Sequence, residues 1–110
     1  MSFSIKYTAL FEKQVKRLAK KYPSLKEDLL LLTNELQANP TDGTALGKGL
    51  YKVRMAIASK GQGKSGGARV ITFLMLKNTI VLTSIYDKSE QSSVSIQVLL
   101  KILKDEGIVD

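Results

Sequence analysis

Two stretches near the start of the chain carry apolar residues at one shared spacing of four, three and four. Phe11, Val15, Leu18 and Tyr22 form the first, and Leu25, Leu29, Leu32 and Leu36 the second. That spacing collects each set on one stripe of an α-helix, and each stripe must be buried against something. Lys13, Lys16, Arg17, Lys20 and Lys21 fall on the other side of the first helix. Thr8 suits its N-cap, and Pro23 stops it. Ser24-Leu25-Lys26-Glu27 reads as a capping box that opens the second helix. The result is a helical hairpin with one proline-containing turn, ended by Asn39-Pro40.

Around the hairpin the period changes from that of a helix to that of a strand. Phe3, Ile5 and Tyr7 alternate with Ser4 and Lys6, a short strand. Residues 41–49, TDGTALGKG, read as a glycine-containing connection. Leu50 to Ile57 alternates, with Tyr51, Val53, Met55 and Ile57 on one side and Lys52 and Arg54 on the other; Tyr51 is expected in the core. Residues 58–68, ASKGQGKSGGA, hold four glycines and two lysines and read as a mobile loop. Val70 to Leu76 is apolar on both faces, the mark of a central strand. Lys77-Asn78 reads as a tight turn into a partner strand, Ile80 to Tyr86. Val94, Val98 and Ile102, with Leu99 and Leu103 beside them, predict a last helix that Gly107 ends. The fold class is therefore α+β. Residues 1–110 form a single domain with an N-terminal strand, a helical hairpin, an antiparallel three-strand meander and a C-terminal helix. The helices are expected on one face of the sheet.

Composition removes several function classes. The chain has no cysteine and no histidine, which excludes disulfides, zinc fingers, a Ser-His-Asp triad and a paired-histidine ribonuclease. No metal or other cofactor is expected. Neither a signal peptide nor a membrane span is visible, so a cytoplasmic protein without membrane contact is expected. The net charge of +7 comes from one place. Residues 43–86 contain seven basic residues (Lys48, Lys52, Arg54, Lys60, Lys64, Arg69 and Lys77) and no carboxylate. A field of one sign suits a polyanion, because each neutralised phosphate releases a condensed counterion. A merely solubilising basic surface is the bland alternative.

The same segment could carry chemistry. Lys52 and Arg54 share a strand face roughly 7 Å apart. Arg69 begins the next strand, and Lys88 follows the strand after that, so an antiparallel sheet could gather all four on one polar surface. Cleaving an RNA phosphodiester needs a base for the 2′-OH, cations for the phosphorane, and an acid for the leaving 5′-oxygen. Without histidine, a lysine whose pKa is lowered by neighbouring cations could move the proton. The planar fork of arginine suits the equatorial phosphorane oxygens. Tyr51 and Tyr86 could stack on a base, and Tyr86 could donate a proton. Against this, Lys52 and Arg54 could be an ordinary solvated strand face, and Lys88 with Glu90 a local ion pair. Gly63-Lys64-Ser65 resembles the end of a P-loop, but Ala58 stands where that motif needs glycine, and the run leads into a strand.

The run YKVRMAIASKGQGKSGGARVITF, Tyr51 to Phe73, followed by LTSIYDKSE, Leu82 to Glu90, resembles the RelE/HigB-like toxins of bacterial type II toxin–antitoxin systems, in particular the HigB-type branch. The resemblance implies a microbial-RNase-like fold and a metal-independent endoribonuclease that cuts mRNA in the ribosomal decoding site, beside the 16S rRNA. It also implies a cognate helix-turn-helix antitoxin, with a possible toxin–antitoxin hetero-oligomer. By the same resemblance Lys52 is the candidate proton shuttle, Arg54 a phosphate contact, Arg69 the transition-state arginine and Lys88 the late basic position. Lys60 and Lys64 match the basic loop and, with Lys48 and Lys77, are expected to contact RNA or ribosome. Two positions depart from the pattern. Thr72 stands where many relatives have tyrosine after the R-x-I stretch, and Gln91-Ser92-Ser93-Val94 lacks the tyrosine that some place early in the last helix. Tyr86 is the candidate replacement. Two other functions compete: a ParE-type, non-enzymatic inhibitor of DNA gyrase, and a plain nucleic-acid-binding module.

Overall fold

The computed structural model describes residues 3–75 and 78–110. Lys77, and with it half of the expected turn, lies outside them. A short strand, β1 (Ser4–Tyr7), leads into α1 (Ala9–Lys21) and α2 (Leu25–Ala38). The strands β2 (Thr44–Gly47), β3 (Leu50–Met55), β4 (Ala68–Met75) and β5 (Thr79–Asp87) follow, and α3 (Ile96–Asp105) closes the chain. The five strands form one sheet in the order β1-β5-β4-β3-β2. β3, β4 and β5 are the expected antiparallel meander. It is extended on one side by β2 and on the other by β1, which runs parallel to β5. Among the described residues no helix is long and apolar enough to cross a membrane.

The α1–α2 hairpin packs on one face of the sheet. Leu18, Leu25 and Leu36 are fully buried there against Val53, Val70, Ile80 and Ile85. Each such leucine contributes about 2–3 kcal/mol of transfer free energy. Thr8 caps α1 as expected, its Oγ1 accepting from the Phe11 N–H at 3.0 Å. The same hydroxyl donates to the Thr83 carbonyl at 2.8 Å, which ties the helix start to β5.

Four expectations need correction. Residues 44–47, read as connection, form the edge strand β2, paired with β3. Ser24 makes no capping bond. Its hydroxyl is occupied instead by Asp28 at 2.7 Å and by the Ser59 N–H at 2.8 Å. The helices do not share one face of the sheet, because Leu99 and Leu103 of α3 pack with Leu50, Ile71, Val81 and Tyr86 on the other. Within α3, Val98 turns outward at 50% exposure while Leu99 and Leu103 are buried, so the buried stripe starts one residue later than its spacing suggested.

β5 carries an irregularity that matters for the site. Ile71 pairs with Ser84, but the next residue, Thr72, pairs with Leu82, so Thr83 is an extra residue opposite β4. One inserted residue reverses which face the following side chains take. Ile80 and Leu82 lie on the hairpin face, and beyond the bulge Ile85 rejoins them. Tyr86 is sent to the face of α3.

Candidate active site

Residues directly opposite one another on paired strands point to the same side of a sheet. Arg69 on β4 faces Arg54 on β3 and Tyr86 on β5. The three make one row across the meander, and Lys52, two residues from Arg54, stands on the same face. Of the four cations expected to gather, Lys52, Arg54 and Arg69 share this face, Tyr86 lies beside them, and Lys88 does not join the row. The members differ in access. Arg54 is exposed and Lys52 half-buried, whereas Arg69 and Tyr86 are only 5% and 3% exposed.

Arg69 is held by the glycine-rich loop. Its Nη1 donates to the carbonyls of Lys64 at 3.0 Å and Ala68 at 3.1 Å, and its Nη2 to that of Ser65 at 3.1 Å. The Tyr86 hydroxyl is buried without a hydrogen-bond partner among the described residues. Burial pushes its pKa up, more than the nearby Arg69 charge pulls it down. Tyr86 thus keeps its proton at neutral pH and in a proton transfer could serve as an acid, not as a base.

The other expected residues scatter. Lys88 is exposed just past β5, its N–H bonded to the Gly67 carbonyl at 3.0 Å. The alternative of a local Lys88–Glu90 pair is not formed either, because Glu90 pairs with Arg17 at 3.2 Å. Lys48 is exposed in the β2–β3 turn at φ 57°, and Lys64 is exposed in the loop. Tyr51, expected in the core, is half-buried. Thr72, which departs from the pattern of the resemblance, is buried opposite Tyr51 and Leu82, away from the basic row.

Lys60 is not free. Its Nζ meets Asp87 Oδ1 at 2.6 Å, with 11% of the lysine side chain and none of the aspartate exposed. Asp87 also accepts from the Tyr22 hydroxyl and from the Ser89 N–H and hydroxyl. Burial alone would raise the Asp87 carboxyl, but these donors, Lys60 foremost, hold it well below the usual carboxylate range. Sequence reasoning missed Asp87. The available signal was a carboxylate at the end of an apolar strand with no local need for it.

The loop returns to β4 through Gly67, where a Cβ would lie 2.1 Å from the Met55 carbonyl oxygen. Gly67→Ala is therefore expected to prise β3 from β4 and to cost about 3 kcal/mol, the upper end for overpacking. Urea unfolding measures it, and an unchanged midpoint would show that the strands can give way freely.

A family model described as the RelE toxin of the RelE/RelB toxin–antitoxin system matches residues 8–104. Among solved structures, a double arginine-to-alanine mutant of the E. coli toxin RelE in the free state is similar, with a TM-score of 0.62 and 14% identity. The match covers 96% of this chain and 98% of that one. At that identity the likeness concerns the fold, and the family match, spanning most of the chain, carries the assignment. The chain belongs to the RelE family of toxins, the members of toxin–antitoxin systems that an antitoxin partner holds in check.

Proposed function

We propose that the protein is a ribosome-dependent endoribonuclease that cleaves mRNA in the decoding site and so inhibits translation, with its HigB-like loop as the branch signature. The observation that carries this reading is the cross-strand row Arg54–Arg69–Tyr86 with Lys52 beside it. Cleavage would proceed by attack of the 2′-oxygen on phosphorus. The P–O5′ bond breaks, leaving a 2′,3′-cyclic phosphate and a 5′-hydroxyl. Lys52 takes the 2′-OH proton, Arg54 and Arg69 stabilise the phosphorane charge, and Tyr86 protonates the leaving oxygen. Lys48, Lys64 and Lys88 lie along the RNA or rRNA path. No metal has a part in this scheme. The ribosome supplies the remaining orientation of the 2′-OH, which replaces much of a stronger base. A helix-turn-helix antitoxin that masks this basic face, in a toxin–antitoxin hetero-oligomer, would silence it, and the site of action is the cytoplasm.

The burial of Arg69 and Tyr86 favours a second reading, gyrase inhibition without catalysis. The test is mRNA cleavage by antitoxin-free protein, with and without programmed ribosomes, beside a gyrase supercoiling assay. Ribosome-dependent cuts support the first reading; intact mRNA with blocked supercoiling supports the second. Tyr86→Phe is expected to slow cleavage roughly 100-fold without weakening ribosome binding, the lower end for loss of a general acid. An unchanged rate would remove Tyr86 from the mechanism.

A further inference from the structure

By charge and position Lys60 resembles an RNA contact, but its surroundings are those of an anchor. Its ammonium donates to Asp87 Oδ1 at 2.6 Å and to Ser89 Oγ at 3.2 Å, and it sits over the Tyr22 ring, 5.7 Å from the centroid. Three partners surround a group with three N–H donors. Little remains to offer a phosphate.

The backbone beside Lys60 is fixed as well. Ala58–Lys60 is a single 3₁₀ turn, and the buried Asp28 accepts the Ala58 N–H with both oxygens, at 3.2 and 3.3 Å. At the other end of the loop, Gly67 is wedged against Met55, and its carbonyl takes the Lys88 N–H. Residues 61–66 thus span two fixed points. Midway between them the Lys64 and Ser65 carbonyls grip the Arg69 guanidinium. Both Nη1 hydrogens and one on Nη2 are used by loop and strand carbonyls, and among the described residues the Nε–H and the other Nη2–H have no partner. Those two form the side-on fork that matches a pair of phosphate oxygens.

We propose that Lys60 is a positioning residue: paired with Asp87, it anchors the 61–67 loop so that the loop carbonyls aim the free fork of Arg69 at the scissile phosphate. The inference rests on the cleavage reading given above. It separates Lys60 from Lys64, its neighbour in the same basic loop, whose exposed side chain is free to meet RNA. It also explains why a loop so rich in glycine carries a buried ion pair at its root. An arginine oriented by neutral carbonyls keeps its full charge for the phosphate, whereas one paired to a carboxylate would spend it.

Lys60→Met would strand the Asp87 carboxylate, so the test uses Lys60→Met/Asp87→Asn beside it, which removes both charges and keeps an acceptor for Tyr22 and Ser89. Cleavage of mRNA on programmed ribosomes and the salt dependence of binding are measured for both, alone and combined with Arg69→Ala. Cleavage is expected to fall about tenfold or more while the slope of binding against salt is unchanged. Adding either change to Arg69→Ala should cost nothing further, because residues that act as one unit are not additive. A slope reduced by about one, with losses that multiply, would make Lys60 a direct phosphate contact and overturn the proposal. The Arg69 Nε–H resonance, read by nitrogen-15 NMR, gives an answer that does not need activity. It should shift, and exchange faster, in the double-charge variant; an unmoved signal also overturns the proposal. If the wild type cleaves nothing, the interferase reading fails, and this resonance alone decides the anchor.

Discussion

Asp87→Ala is expected to lower stability by about 3–5 kcal/mol, the range for removing one partner of a buried ion pair. The loss exceeds that of a surface pair because both groups are buried, which leaves the remaining ammonium without its counter-charge. The Lys60 ammonium would stay buried at the foot of the loop, and the Tyr22 hydroxyl and the Ser89 N–H would lose their acceptor. Tyr22 belongs to the turn between α1 and α2, Lys60 to the loop and Asp87 to β5, so one carboxylate joins three distant segments. The pH dependence has a definite sign. The folded-state pKa of Asp87 lies below its unfolded value, so its contribution is complete above the unfolded pKa of about 4. It is lost as pH falls from there towards the folded value. Urea unfolding at neutral and acid pH should therefore show the gap between wild type and variant closing below about pH 4. A variant as stable as the wild type at neutral pH would refute the account.

Arg69→Ala is expected to reduce cleavage by about 10²–10³-fold, the range for losing one preorganised donor to a developing oxyanion. Two effects combine. The side-on fork disappears, and the loop carbonyls of Lys64 and Ser65 lose the group that holds them together. Lysine is a poor replacement, since one ammonium cannot span two loop carbonyls and still present a flat fork to phosphate. Arg69→Lys should thus recover folding more than it recovers rate. Single-turnover cleavage on programmed ribosomes, with a melting curve for each variant, separates the two. Full activity in Arg69→Lys would mean that only the charge matters.

Much of this architecture can be read from local pattern. The two helical stripes are unambiguous because four-three-four spacing fits no other element, and β4 declares itself by being apolar on both faces. The basic row is half legible: Lys52 and Arg54 share a face by simple alternation. The rest depends on partners far along the chain. Ser24 has the neighbours of a capping residue, yet Ser59, across the fold, competes for its hydroxyl and wins. β2 has only Leu46 as a large apolar residue and exists because β3 offers an unpaired edge. Lys60 and Lys64 look equivalent in sequence; only the fold brings Asp87 to one of them. α3 carries apolar residues on adjacent positions, and spacing alone does not say which of Val98 and Leu99 turns inward.

The extra residue at Thr83 bears on how sequences of this family are compared. A strand is read in alternate letters, and a bulge changes which letters belong together. A relative that pairs β4 with β5 without the insertion presents its side chains in the opposite phase beyond that point. Lined up without a gap, its structural residue would sit under Tyr86 and its functional residue under Asp87. Counting from the end of β5 rather than from its start keeps the two columns apart.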